Sequence, residues 1–559
     1  MWKFSELPYE RYEIDTFLSD AEALLKQLEE ASSYSETREA FLAIDKAERK
    51  LMTVVSLCHI RHDMDTKDAF YDAEMTYWNQ NLPRLMPLQK RNQALLLRHP
   101  FRKELEAEFG SFLFQKIENG EKLADERLIP DATQEQLLVS RYGKLTAGCT
   151  VEFRGQTCNF YGLLKQMQNP DRTIRKEAFL AWARLYESIS EELDEIYDAL
   201  IRHRVSQANI LGFSSYTEMT YRRRQRFDYD ATDAATFRDA VARYLVPLCN
   251  KLRKQQAETI GVDKLRYYDE TFYYPEGNPV PMGTEQESVL AAQKMYRELS
   301  RETGEFFDFM VEHGSYDLTG RNGKRMGGYC TTLPDYGSPF IFSNFNGTSA
   351  DVDVLTHEAG HAFQSYVAQH SLVHSDLWQA PMEICEVHSM TMEHFTYPWM
   401  ELFFGEDADR YRRTHLKDAL LVIPYMVAVD EFQHRVYEKP SMTAKERYAV
   451  WHEIETIYLP WRDYDGQPFL EQGGFWLQKQ HIFASPFYYI EYALAQMCAF
   501  DFYLRMLEDR DKAWESYLDL CKAGGSVGYF RLLEIAGCRN PFRPETVQYI
   551  AESIGKLVE

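Results

Sequence analysis

The sequence predicts a mainly α-helical protein that carries a small β-sheet. Two observations indicate this fold class. Apolar residues recur three and four positions apart over most of the chain, for example at Phe17, Ala21, Leu24 and Leu28, which is the spacing of an amphipathic helix. Alternating stretches bounded by turn residues, the pattern of strands, occupy only two short regions. With 559 residues and a hydrophobic content of 45%, the chain can bury a large core.

The first half of the chain is predicted to be helical around one hairpin. Long helices are expected from residue 12 to about residue 109. A β-hairpin follows at 147–160, because this stretch alternates and turns at Arg154-Gly155. Asn169-Pro170-Asp171-Arg172 has the cap and first-turn residues of a further helix. The run Arg222-Arg223-Arg224-Gln225-Arg226 is interpreted as a solvated helix surface without a function.

The second half is predicted to contain a pair of strands between helices. The stretch from Tyr267 to Pro281 is a predicted loop, and helix returns from Glu285 to Val311. Strands are expected from Arg325 to Leu333 and from Ser338 to Phe345, with a turn between them. Beyond Tyr397 the pattern is again mostly helical.

Charge and cysteine content limit the function classes. The formal net charge of -23 disfavours nucleic-acid phosphates and anionic membrane surfaces as partners, and no obligate protein partner is evident. The N-terminal residues lack the pattern of a secretory signal, and no run of eighteen apolar residues occurs. The nine cysteines are scattered and form no C-x-x-C pair, which favours reduced thiols in a cytoplasmic protein.

The stretch from Thr356 to Phe363 contains the spacing His-Glu-x-x-His. On a helix, His357 and His361 leave the same face and can bind one cation, whereas Glu358 lies roughly 100° around the axis. This is the arrangement of zinc hydrolases, in which the glutamate acts as a general base. A catalytic zinc takes three protein ligands and keeps one position open, so a third ligand is required.

The third ligand is expected on the predicted helix from Pro381 to Phe395. Helical spacing puts Glu386 and Glu393 on one row that can face the first helix. We therefore predict that zinc binds to His357, His361 and Glu386. Glu393 is expected to contact one of these ligands rather than the metal itself. A third histidine of the metzincin kind is excluded because Val367 stands at its position. The ligand candidates that the helix offers are Glu383, Glu386, His388, Glu393 and His394.

The strand before the zinc helix is a candidate substrate-binding element. A strand edge beside the metal can hold an extended peptide through its backbone, whatever the side chains. We therefore expect an edge at Phe340 to Phe345 and substrate contacts from Phe342, Asn344 and Gly347. The alternative is an ordinary structural hairpin.

A second candidate site segment runs from Gly473 to Tyr492. It combines paired glycines with His481 and three tyrosines, of which Tyr489 and Tyr492 are about one helical turn apart. Hydroxyl groups and an imidazole near zinc can donate hydrogen bonds to the oxyanion of amide hydrolysis. The alternative is that these aromatic residues belong to the core.

Taken together, the sequence resembles oligoendopeptidase F, including its Pz-peptidase type, and the related thimet oligopeptidases. The resemblance covers most of the chain. It implies a two-lobed helical body with a deep substrate channel, and zinc on the two histidines and Glu386 with Glu358 as base. It also implies that His481 and the later tyrosines stabilise the transition state. The interval between them is shorter than in the thimet branch, so the acting tyrosine stays open; Tyr489 and Tyr492 are predicted to be catalytic and Tyr488 to bind substrate. The resemblance rests on Asn169 to Arg172, Arg175-Lys176, Pro339 to Thr348, His357 to His361, Glu386, Ser389, Glu393 and His481 to Tyr492.

We therefore expect an N-terminal helical lobe with the hairpin at 1–200 and a catalytic helical lobe at 201–559. The expected function is that of a cytoplasmic zinc endopeptidase that hydrolyses internal bonds of short unfolded peptides through metal-activated water. One alternative is a zinc carboxypeptidase of similar fold, which needs a cation for the substrate carboxylate. The other is a peptide-binding protein with structural zinc, although such sites usually have four ligands and no use for Glu358.

Overall fold

The computed structural model describes residues 2–321, 323–325 and 327–559, and its secondary structure is mainly helical with two small sheets. This confirms the predicted fold class. None of the helices within those ranges combines the length and the hydropathy that crossing a membrane requires. The helices are α1 (Ile14–Glu30), α2 (Tyr34–Met64), α3 (Ala69–Asn81), α4 (Met86–Arg98), α5 (Arg102–Phe109), α6 (Ser111–Leu123), α7 (Ile129–Gly148), α8 (Phe160–Gln166), α9 (Arg172–Ile210), α10 (Tyr216–Arg223), α11 (Ala231–Ala240), α12 (Val246–Thr259), α13 (Glu285–Leu299), α14 (Arg301–His313), α15 (Ala350–Ser371), α16 (Met382–Phe395), α17 (Glu401–Phe404), α18 (Ala408–Glu438), α19 (Ala444–Tyr458), α20 (Pro468–Glu471), α21 (Gln480–Ala484), α22 (Tyr489–Glu508), α23 (Arg510–Ala523), α24 (Tyr529–Ala536) and α25 (Pro544–Val558).

The chain divides into two compact units, each assembled from three segments. The first unit contains Met1–Ala124, Val280–Asp409 and Asp501–Arg539. The second contains Asp125–Pro279, Arg410–Phe500 and Asn540–Glu559. This division differs from the expected boundary between residues 200 and 201, which falls inside α9.

The structure confirms two local predictions in the second unit, a β-hairpin and the cap of a helix. The hairpin consists of β1 (Val151–Phe153) and β2 (Gln156–Cys158), which pair antiparallel. Its two-residue turn is Arg154-Gly155, and both residues have positive φ, as a tight hairpin turn requires. At the start of α9 the Asp171 side chain accepts a hydrogen bond from the Thr173 backbone N–H at 2.8 Å, which caps the helix.

A three-stranded sheet lies beside α15 in the first unit. Its strands are β3 (Tyr316–Thr319), β4 (Tyr329–Leu333) and β5 (Ser338–Phe345). β5 is the middle strand, parallel to β3 and antiparallel to β4. The strand predicted to begin at Arg325 begins at Tyr329, and Met326, which that prediction included, lies outside the described residues.

The two faces of this sheet pack against different helices. Phe340 and Phe342 of β5 are buried in a cluster with Leu57 of α2, and Leu333 of β4 belongs to the same cluster. On the opposite face, Thr332 lies with its hydroxyl oxygen 3.1 Å from that of Ser365 on α15. Alternation along β4 therefore directs Cys330 and Thr332 towards α15. Gly328, just before the strand, also lies against this helix, because a Cβ atom there would be 3.3 Å from the side chain of Val354.

Candidate metal centre and active site

Three predicted ligands converge where α15 meets α16. Among the described residues, His357, His361 and Glu386 form a group whose candidate ligand atoms all lie within 4.8 Å of one another. The Nε2 atoms of His357 and His361 lie 3.4 and 3.6 Å from Oε2 of Glu386. Two ligands of a tetrahedral zinc at its usual bond lengths stand about 3.4 Å apart. The spacing and the N, N, O donor set therefore fit zinc, although metal binding by these residues stays a prediction.

Close packing of the two helices brings the group together. A Cβ atom at Gly360 would lie 2.6 Å from the Cα of Ser389 and 2.8 Å from the carbonyl oxygen of His388. Contacts this short with backbone atoms are not tolerated, so only glycine allows α16 to approach α15 at this point. Because Gly360 lies between the two histidines in sequence, the approach places Glu386 opposite both of them.

Further hydrogen bonds orient the ligand side chains. Nδ1 of His357 lies 2.6 Å from Oε1 of Glu393, and the hydroxyl of Ser389 donates to Oε2 of Glu386 at 3.1 Å. Burial opposes the charged imidazolium of His357, but its hydrogen bonds to Glu386 and Glu393 outweigh this and raise its pKa well above the usual value. For Glu386, burial likewise favours the neutral form, but hydrogen bonds from the two histidines hold its pKa well below the usual range.

The other ligand candidates on α16 lie outside this group. Glu383 is buried in the first turn of the helix, and His388 is buried with its ring near that of Tyr517. His394 stacks on Tyr503 with ring centroids 5.0 Å apart. Glu386 and Glu393 therefore face α15, as their helical spacing predicted, whereas Glu383, His388 and His394 lie outside the group.

Glu358 lies between α15 and the edge of the sheet. Its side chain is buried, and a Cβ atom at Gly328 would lie 3.8 Å from one of its carboxylate oxygens. Burial raises the pKa of Glu358, and the two neighbouring histidines oppose that shift. The pKa of the Cys330 thiol is raised well above its usual value, first by burial and then by the charge of Glu358. Glu358 is thus a carboxylate in a water-poor site, where it binds a proton more readily than in water.

The expectation of a substrate-binding edge on β5 is wrong. β5 is paired on both sides, and Phe342 is fully buried with its ring stacked on Tyr329, so Phe342 cannot contact a substrate. The error arose because β3 was not recognised in the sequence. The Asn344 side chain donates to the carbonyl oxygens of Arg325 and Gly327. Gly347 is exposed, and its N–H donates to Asp351.

The four predicted side chains of the later segment form one cluster in the second unit. The ring of His481 lies 5.8 Å from that of Tyr488, 4.9 Å from Tyr489 and 6.1 Å from Tyr492, measured between centroids. Tyr492 is also 4.9 Å from Tyr488 and 5.6 Å from Tyr489. All four are partly exposed, although most of their neighbours on α22 are buried. They therefore form a polar surface rather than interior core packing.

Lys479 is a member of this cluster that the sequence analysis missed. Its ammonium group donates to the hydroxyl oxygen of Tyr489 at 3.0 Å. The neighbouring Gln478 donates to the hydroxyl of Tyr425 at 2.6 Å. Because the Tyr489 oxygen accepts a hydrogen bond from Lys479, its own phenolic proton is available for another acceptor. The sequence does not predict this contact, because Lys479 and Tyr489 are ten residues apart and only the folding of the intervening segment brings them together.

Comparison of the sequence with models of known protein families identifies the family of this chain. The sequence matches the family model described as Peptidase family M3 over residues 165–295 and 304–551, and that of the Peptidase M3 N-terminal domain over residues 4–124. The chain belongs to peptidase family M3.

Solved structures and curated proteins narrow the relationship within the family. A crystal structure described as an oligoendopeptidase F is 45% identical with a TM-score of 0.95, and covers 100% of this chain and 99% of its own. PZ peptidase A with an inhibitor is 44% identical with a TM-score of 0.94 and the same coverage. The group B oligopeptidase PepB of Streptococcus agalactiae serotype III (strain NEM316) is 21% identical over 68% of this chain and 62% of its own length. The match therefore spans less than two thirds of that relative's own length. The two solved structures and the family model confirm the resemblance to oligoendopeptidase F.

Proposed function

We propose that this protein is a zinc endopeptidase that hydrolyses internal peptide bonds of short unfolded peptides. The observation that carries the proposal is the placement of His357, His361 and Glu386 at zinc-ligand spacing with Glu358 beside them. Membership of a peptidase family and the oligopeptidase names of its relatives support the same function.

Glu358 is the proposed general base. A bound zinc supplies Lewis-acid chemistry, which acidifies water and polarises a carbonyl group. Glu358 accepts the proton of the attacking water and returns it to the nitrogen of the leaving amine. The raised pKa of its buried carboxyl supports this role, because a carboxylate that holds a proton more firmly removes it more readily from water.

His481, Tyr489 and Tyr492 are the proposed donors to the oxyanion, and Tyr488 contacts the substrate. Their rings form one cluster with partly exposed edges, as donors to a ligand require. Donors of this kind act in the transition state, because the oxyanion exists only after attack.

The substrate backbone is proposed to pair with β4 rather than β5. No strand of the described residues pairs with the second edge of β4, and that strand runs along α15 beside Glu358. Edge pairing recognises the main chain and requires an extended peptide, so folded proteins should resist cleavage. The nine cysteines are scattered along the sequence and form no C-x-x-C pair, which supports a reducing compartment such as the cytoplasm.

The test is a peptide blocked at both ends, incubated with protein of measured zinc content. An endopeptidase cuts this peptide at internal bonds. A carboxypeptidase leaves it intact but removes residues from the same peptide with a free carboxylate, and a zinc-containing binding protein cuts neither. Glu358→Gln should retain zinc and lose at least about 99% of the rate, because a general base contributes about 10²–10⁴. Glu305→Gln, at an exposed position of α14, is the control for the loss of one charge.

A further inference from the structure

Two backbone positions in the second unit adopt a conformation that side chains usually avoid. Gln225 has a φ of 58° and Phe487 a φ of 61°. A bulky residue in the left-handed region is strained and persists only when its surroundings hold it there. Four non-glycine residues in the described part of the chain have positive φ, namely Arg154, Gln225, Asp465 and Phe487. Hydrogen bonds connect the segment around Gln225 with the segment around Phe487.

Side chains from distant segments hold the turn at Phe487. Its backbone N–H donates to the side-chain oxygen of Gln433 at 2.8 Å, and its carbonyl oxygen accepts a hydrogen bond from Arg226. The carbonyl oxygen of Pro486 accepts from Nε of Arg224 at 3.1 Å. Three polar side chains thus fix the backbone on both sides of the strained residue.

The same two arginines bind the helix that follows. Nη2 of Arg226 lies 2.9 Å from Glu491, and Nη1 of Arg224 lies 3.2 Å from each carboxylate oxygen of Glu491. The side chains of Arg226 and Glu491 are fully buried, and that of Arg224 is 14% exposed. The Arg224 guanidinium also lies 4.7 Å from the ring centre of Tyr488.

This arrangement corrects the interpretation of the basic run as a solvated surface. Arg224 and Arg226 face inward on either side of Gln225, and they bind a segment that lies more than 250 residues later. Arg223 instead donates to the side chain of Gln207 at 2.7 Å. The strained Gln225 backbone lies between two arginines that reach the same carboxylate.

We propose that Arg224 and Arg226 are positioning residues that set the direction of the tyrosine hydroxyls. The inference rests on the donor role of Tyr489 and Tyr492 given under the proposed function. Glu491 lies between these tyrosines on the first turn of α22, and the turn at Phe487 determines where that helix begins. Holding both the turn and Glu491 fixes the rotation of α22 about its axis, and hence the direction of Tyr489 and Tyr492.

The first test is a set of arginine variants with full kinetics. Arg224→Gln should lower kcat by between about ten- and a hundredfold, the effect of a small displacement of catalytic groups, with zinc content unchanged. KM should change much less than kcat, with a small rise because Arg224 also lies against Tyr488. Arg224→Lys should restore part of the rate, since it keeps a charge for Glu491 but cannot bind Pro486 at the same time. Arg223→Gln is the matched control and should behave as the wild type. Arg226→Lys should also lower kcat, because one ammonium group cannot bind both the Phe487 carbonyl oxygen and Glu491 as Arg226 does. Wild-type kcat in either Arg224→Gln or Arg226→Lys would overturn the proposal for that arginine.

The second test separates positioning from general stability. If Arg224 acts through the two tyrosines, adding Arg224→Gln to the variant with Tyr489→Phe and Tyr492→Phe should cause no further loss of rate. Multiplication of the two losses would show an effect independent of both tyrosines and would overturn the proposal. If Tyr489→Phe and Tyr492→Phe both keep wild-type kcat, the donor role itself is wrong and the positioning proposal falls with it. Arg224→Lys supplies a folded comparison should Arg224→Gln lower the melting temperature below the assay temperature.

Discussion

Oε1 of Glu393 lies 2.6 Å from Nδ1 of His357. Glu393 stands about two turns of α16 beyond Glu386, the glutamate that faces Nε2 of the same ring. The two nitrogens of His357 therefore have separate partners. A carboxylate on Nδ1 fixes the tautomer that leaves the Nε2 lone pair for a metal, and it makes that nitrogen a better ligand.

Glu393→Gln should weaken zinc binding by about 10- to 100-fold while leaving the fold intact, because the amide is a poorer acceptor for Nδ1–H. Competition with a chelator, followed by metal analysis, measures the effect. Glu386→Ala should lose zinc more severely, and Glu383→Ala on the same helix should keep it. Loss of zinc in Glu383→Ala with retention in Glu386→Ala would show that the third ligand is wrongly assigned.

Gly360→Ala should destabilise the protein by about 1–3 kcal/mol and lower its zinc content. The added methyl group would meet backbone atoms of α16, so the helix that carries Glu386 must move away. Thermal unfolding with and without chelator measures both effects. Gly143→Ala is the matched control: nothing lies within 4 Å of a Cβ on that α7 residue, and the change should stabilise by about 0.5–1 kcal/mol. Equal stability of the two variants would contradict the close approach.

Methylation of single substrate amide nitrogens should impair cleavage in an alternating pattern. If the peptide pairs with β4, every second N–H donates to the strand, and methylation there should raise KM about fivefold for the hydrogen bond lost. Methyl groups at the intervening nitrogens should have a smaller effect. A uniform effect at all positions, measured on a peptide series of one sequence, would exclude edge pairing.

His434 should make the folded state sensitive to acid. Burial lowers its pKa to about 4, below the usual value of 6.5. The unfolded chain therefore binds a proton near pH 6.5 while the folded chain does not, so stability is present above pH 6.5 and is lost as the pH falls towards 4. Denaturant titrations across this range should show a weaker pH dependence for His434→Gln than for the wild type. His370→Gln, at an exposed position of α15, should leave the wild-type slope unchanged.

The sequence was sufficient to predict features that depend on local spacing. The hairpin turn at Arg154-Gly155 and the helical fold class follow from period and turn residues, and the structure confirms them. The convergence of Glu386 and Glu393 towards α15 was predictable because helical periodicity determines which residues share a face. The roles of these residues at a metal stay predictions.

Features that depend on distant partners could not be predicted in this way. β5 lies in the middle of its sheet because β3 pairs with it in parallel, and no local pattern in residues 316–319 predicts this pairing. Arg224 and Arg226 carry the same composition signal as solvated arginines, and only Glu491 and the turn before α22 explain their burial. Local pattern therefore predicts elements and faces, whereas strand order and buried ion pairs arise from the tertiary fold.

The three-segment construction of the first unit has a consequence for synthesis on the ribosome. Phe363 of the zinc helix packs against Trp514 of α23, and the hydroxyl of Tyr517 donates to the carbonyl oxygen of His388. When the chain has been translated as far as Glu386, all three ligand candidates exist, but α23 has not yet been made. At roughly 5–20 residues per second, the residues from Glu386 to the end of α23 take about 7–27 seconds to synthesise, and during that time α23 cannot cover the ligand candidates. The packing of α23 against α15 and α16 can therefore form only late, after nearly the whole polypeptide has been synthesised.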